Sequence, residues 1–177
     1  TDSYDYCHAP SYAAVMGYDN VINPPTSDRA YSPDGGGGKL DASSEWHPSA
    51  CGGTTACWMQ MDLGEETRVS GVVTQDSVWF ARYVATFRVS ACAPGAVNAS
   101  GACTNWVDVD NGASFTGPTH RCGPPIYSCA RASQRWVHHN ALFSSYVETR
   151  FIRIHPLTGN PTLGTGGSWY MRAAVLQ

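Results

Sequence analysis

The residues in this sequence with the plainest chemistry are its sulfurs. Seven cysteines stand at Cys7, Cys51, Cys57, Cys92, Cys103, Cys122 and Cys129. Six fall into close pairs along the chain: Cys51–Cys57, Cys92–Cys103 and Cys122–Cys129. Each pair encloses a Gly-, Ala- or Pro-rich stretch, as in CGGTTAC and CGPPIYSC. Thiols so placed read as three local disulfides that hold loops in shape. Each such short closure adds about 2–3 kcal/mol by the loop-entropy argument. Zinc is the rival reading, with His120, Cys122, Cys129, His138 and His139 as donors. The spacing matches no compact finger and no C-x-x-C pair occurs, so disulfides are preferred. Adjacent histidines on a strand also point to opposite faces, which keeps His138 and His139 from sharing one ion.

Other constellations give less. DGGGGKL (34–40) departs from a phosphate loop, because Pro33 holds the first glycine position and Leu40 follows Lys39. No G-x-S-x-G elbow, no H-E-x-x-H helix and no framed carboxylate pair is present. Cys7-His8 is adjacent in sequence, which does not place the imidazole on the sulfur. The expectation is a domain without catalysis of its own. Asn98-Ala99-Ser100 is a glycosylation sequon inside the Cys92–Cys103 loop. With the cysteines it points to a secreted protein or the outer face of a cell. The chain opens TDSYDYCHAP, without a methionine or an apolar leader, and reads as a mature or excised segment.

The elements that must position these groups are strands. The chain has 177 residues, 42% of them hydrophobic, enough for a core in one domain. Charged residues are 14%, against about 25% in an average soluble protein. A net charge of −3 argues against nucleic acid as a partner. The dominant hydrophobic period is two. Ala85, Phe87, Val89 and Ala91 share one face. Met59, Met61 and Leu63 share another, with Trp58, Gln60 and Asp62 opposite. Val69–Gln75 is a β-branched run, Trp106–Val109 a short strand signal, and Arg150–His155 alternates up to Pro156. Trp169–Leu176 is the last candidate. Glycine and proline punctuate the gaps, and residues 24–40 read as a flexible loop. Many short strands between turns predict an all-β sandwich or barrel.

Four segments in order carry a resemblance: Ala42-Ser43-Ser44-Glu45-Trp46, WMQMDLGEETRVSGVVTQ (58–75), ETRFIRIHP (148–156) and WYMRAAVLQ (169–177). Together they resemble the discoidin family, the C-type domain of coagulation factors V and VIII, over about residues 40–177. The resemblance implies an eight-stranded jelly-roll β-sandwich that binds its ligand through loop spikes at one end. A staple-bearing insertion at about 117–139 departs from the family pattern. The family's closing cysteine would fall one position after Gln177, so Cys7 is expected to pair with a residue beyond Gln177 or with another chain.

The resemblance places one spike within Glu45–Cys57, with Trp46 and His47, and another after Gln75, with Trp79, Phe80 and Arg82. Large aromatics at a strand end are costly to leave in water. They can stack on a sugar ring, enter a membrane boundary or fill a groove in a protein, or they can fold back over the sandwich. Arg82 and His47 would hydrogen-bond sugar hydroxyls, a carboxylate or a phosphate. Asp62, Arg153 and Arg172 are expected to make structural ion pairs or hydrogen bonds to loop backbone. Trp106 and Trp169 are expected in the core. Relatives that bind sugars often hold calcium in a loop, for which Asp34 and Asp41 are the acidic candidates. The function expected is recognition of a glycan or an extracellular protein. Anionic phospholipid is an alternative, weakened because the spikes offer only Arg82 and Arg68 as cations against Glu45 and Asp76. A purely structural protein–protein module is the other.

Overall fold

The computed structural model describes residues 20–32, 36–47, 57–77, 82–118, 138–161 and 169–177, with the backbone alone at 82, 160 and 161. Cys7, Cys51, Cys122, Cys129, Asp34, Trp79 and Phe80 lie outside the described residues. Eight strands form among those described: β1 (Val21–Ile22), β2 (Arg29–Ser32), β3 (Trp58–Gln75), β4 (Arg82–Cys92), β5 (Trp106–Asp108), β6 (Phe115–Thr116), β7 (His139–Pro161) and β8 (Arg172–Leu176). All their pairings are antiparallel. The chain is an all-β jelly-roll sandwich.

Two long strands build both layers. The first half of β3 pairs with β2 and with the second half of β7, which also pairs with β4. The second half of β3 pairs with β8 and with the first half of β7. The alternating runs 59–63 and 69–75 therefore belong to one strand that bends between them. Register shifts lie between Asp62 and Thr67. Gly64 takes φ 86°, and its N–H is capped by Asp62 Oδ1 at 2.8 Å. Strand β7 likewise runs past Pro156, where pattern reading ends it. Pro156 sits opposite Phe87 beside a register shift in the β4 pairing, where a missing N–H is tolerated.

Period-two alternation fills the space between layers. Met59, Met61, Phe87, Val89, Ile152 and Ile154 from the front layer pack in one cluster with Val72, Ala141, Phe143, Ala173 and Val175 from the back. All five residues of β8 are buried, because Leu40, Val73, Ala174 and Leu176 form a second cluster on its outer side. Residues 24–32 and 36–40 are thus not the loose loop expected. They contain β2, and Gly37, Gly38 and Leu40 are buried.

Candidate functional site

The two bends carry both ends of β3, and both ends of β7, to the same pole. At that pole Ser32 faces Trp58, Gln75 faces Arg172, Thr74 faces His139, and Arg82 faces Pro161. Segments 36–47, 76–77, 138 and 169–171 flank these positions. The opposite pole holds the β3 bend, the Cys92–Cys103 disulfide and Asn98. Gly95 N donates to Glu66 Oε1 at 2.7 Å there, and Thr149 Oγ1 donates to the Cys92 carbonyl at 2.8 Å.

Backbone fit shapes the first segment. Gly37 and Gly38 both have positive φ. A Cβ on Gly37 would fall 2.6 Å from Glu45 N, and one on Gly38 2.7 Å from Met59 Cε. The glycine run therefore serves close packing. Arg29 is buried beneath it and donates to the carbonyls of Pro24, Gly38 and Ala173 at 3.0, 3.1 and 2.9 Å. Burial lowers its guanidinium to about 10, still charged at neutral pH.

Asp41 ties three elements together. Its N–H donates to Gln75 Oε1 at 2.9 Å, and Gln75 Nε2 returns a bond to Asp41 Oδ1 at 2.7 Å. His138 Nε2 lies 2.9 Å from the same oxygen. Arg172, fully buried, donates to the Asp76 carbonyl at 2.8 and 3.2 Å and to the Ala42 carbonyl at 3.2 Å. These bonds fix the root of the segment that leaves β3 toward Trp79 and Phe80. Next to His138, burial pushes the His139 imidazole down, opposed by a hydrogen bond that the ring donates to the Thr116 backbone carbonyl.

Trp46 is corrected from spike to core. It is 1% exposed, packs 6.0 Å from the Tyr31 ring, and exchanges backbone hydrogen bonds with Met171 at 3.1 and 3.0 Å. That bridge, with Gly38 beneath, turns the indole inward. His47, one residue on, faces solvent with its ring 5.6 Å from that of Tyr170. Arg68 is corrected in place. It pairs with Glu148 near the far pole and stacks 3.4 Å over the Tyr146 ring, so it adds no charge to the loop end. Arg82 begins β4 at the loop end.

Of the two acidic candidates for calcium, Asp34 lies outside the described residues and Asp41 is hydrogen-bonded. Its Oδ1 is turned to nitrogen donors, and among the described residues no group of three or more His, Cys, Asp or Glu could hold a metal. The Cys92–Cys103 bridge forms as expected, with Cα atoms 5.8 Å apart. Cys57 is also disulfide-bonded, to a cysteine outside the described residues. Cys122 and Cys129, the thiols of the zinc alternative, lie outside the described residues.

The structural arginines divide in a way the sequence reading did not specify. Arg172 binds loop backbone. Asp62 pairs with Arg150 through two bonds of 2.8 and 2.9 Å. Arg153 instead donates to Gln60 and lies against Trp58 and Trp106. Trp106 is therefore corrected from core to outer face. It stands opposite Cys92, whose side chain alternates away from the buried Ala91. Trp169 is half-buried against the core and covers Gly159, where an added Cβ would meet its ring at 2.4 Å. Tyr170 and Gln75 went unmarked in the sequence. The signals were their positions, beside Trp169 and at the end of the β-branched run.

The F5/8 type C domain family model matches residues 25–175 of this chain. Solved structures show the same fold. Discoidin II of Dictyostelium discoideum superposes with a TM-score of 0.52 at 16% identity, covering 75% of this chain and 42% of that one. The chain thus spans less than half the length of discoidin II. The CBM32 of AlyQ, in complex with 4,5-unsaturated mannuronic acid, gives a TM-score of 0.52 at 16% identity, covering 88% and 98%. The family 32 CBM of NanJ from C. perfringens, in complex with galactose, gives 0.51 at 15%, covering 89% and 98%. No curated protein matches in sequence.

Proposed function

The chain belongs to the F5/8 type C domain family, and from that premise we propose that it is a non-catalytic extracellular module that recognises glycans at the pole where both ends of β3 meet. The observation that carries this reading is the exposed His47 ring, backed by Tyr170, at the same pole as the Asp41–Gln75–His138 hydrogen-bond cluster. An exposed ring and fixed polar groups at one pole suit a sugar, whose apolar face stacks while its hydroxyls bond. The sugar complexes of the AlyQ and NanJ modules, which share the fold, support the same ligand class. The Cys92–Cys103 disulfide supports an oxidising compartment, and the exposed Asn98 stands at the far pole, where a glycan would leave the loop end open. Phospholipid is disfavoured, since Arg68 lies away from the loops.

A glycan array beside a phosphatidylserine liposome assay, each with and without chelator, tests the reading. Retention of specific glycans, lost in His47→Ala and indifferent to chelator, supports it. Binding to liposomes alone, or to neither probe, overturns it.

A further inference from the structure

The outer face of the front layer, between Trp58 at the loop pole and Trp106 beside the disulfide pole, carries a second arrangement that the loop site does not use. Strands β3, β7, β4 and β5 lie side by side there. Gln60 and Ser90 flank Arg153 on the neighbouring strands, and Asp108 stands beyond Ser90. Trp58 on β3 and Trp106 on β5 reach in from either side. Their rings lie 4.0 and 3.9 Å from Arg153 Cζ, so the guanidinium is held between two indoles. Its Nε donates to Gln60 Oε1 at 3.0 Å, which fixes the plane of the fork. Among the described residues no other hydrogen bond and no carboxylate engages it.

Charge on this face is unevenly spent. Asp62 is taken by Arg150 with two hydrogen bonds, and Asp108 lies 3.6 Å from Arg88. Among the described residues of this face Arg153 is the cation left over, in a chain whose net charge is −3. A hydrogen-bonded pair, Ser90 Oγ and His155 Nε2 at 2.8 Å, adjoins it. Half-buried indoles, a pre-oriented guanidinium edge and adjoining hydrogen-bonding groups together match one ligand chemistry. A sugar ring lies on indole, while its carboxylate takes two parallel N–H bonds from the fork.

We propose that this sheet face is a second binding site, separate from the loop pole, for an acidic saccharide of the hexuronate class, with Arg153 as the carboxylate receptor between Trp58 and Trp106. Because the fork is already clamped, little side-chain freedom is lost on binding. Part of the attraction is screened by salt.

The test titrates the full chain with a tetrasaccharide of hexuronate, and with a neutral tetrasaccharide of equal length, while following the indole N–H resonances of Trp58 and Trp106. The hexuronate is expected to shift both resonances saturably, and the neutral sugar to leave them in place. Arg153→Gln is expected to weaken hexuronate binding at least tenfold, and Arg153→Lys to weaken it less. His47→Ala is expected to leave these shifts intact, so the sheet site and the loop site fail independently. Unmoved Trp58 and Trp106 resonances under saturating hexuronate overturn the proposal in the unmodified chain, whether or not the variants fold. Shifts abolished by His47→Ala also overturn it.

Discussion

Replacing Trp46 with alanine puts the division between scaffold and site to a direct test. The indole is 1% exposed, lies against Tyr31, and stands over the position where Gly38 admits no Cβ. Truncating a large buried aromatic costs about 3–5 kcal/mol, because lost transfer energy adds to the cavity left behind. Native stabilities are about 5–15 kcal/mol, so the loss is a large share of the whole. For a chain of this size each kcal/mol moves Tm by about 2–4 °C, which gives a fall of about 6–20 °C. Calorimetry reads that fall directly. Glycan binding, measured well below the lowered Tm, should fall only as far as the neighbouring His47 loses its anchor at Met171. An unchanged Tm with abolished binding would falsify the reasoning, because Trp46 would then be a ligand residue after all.

Other perturbations separate the parts of the molecule. His47→Ala should lose glycan affinity with Tm nearly unchanged, since the ring is exposed; a large fall in Tm would assign it to the scaffold. Gly38→Ala should destabilise by more than about 1 kcal/mol, because φ 81° and the contact with Met59 both oppose a side chain; urea midpoints decide it. The Arg150 hydrogen bonds hold the Asp62 carboxyl below its usual 3.8, against the opposing pull of burial. The folded value is the lower one, so the pair's contribution is present above the unfolded value and is lost as pH falls through the folded one. Asp62→Asn should therefore be less stable than the unmodified chain at pH 7, with the gap closing in acid; a gap unchanged in strong acid would refute the pairing. Replacing Cys92 and Cys103 with alanine should cost about 3 kcal/mol while leaving glycan binding intact, as the bridge lies at the far pole.

Period-two alternation told inward from outward side chains along β3, β4 and β7, because burial on one face enforces it. The outer face Trp58–Gln60–Asp62 was legible for the same reason. The joining of 59–63 to 69–75 was not, since a bend at Gly64 looks like a turn between two strands until register is known. Trp46 shows the limit for sites. Its neighbours Glu45 and His47 are polar, as for a loop tip, and its inward turn depends on pairing with Met171, distant in sequence. The bonds of Asp41 to Gln75 and His138 are equally non-local, so residue type alone could not place them together.

The hairpin-like course of β3 and β7 also bears on how such a protein can be altered. Segments that depart from and return to one pole have anchors fixed by the sheets, so changing their length leaves the strand register alone. Doubling a connecting segment costs only about 0.6 kcal/mol in closure entropy. New peptide sequence could accordingly be grafted there in great variety, with the sulfur-stapled pole serving as an unvarying handle for attachment or display.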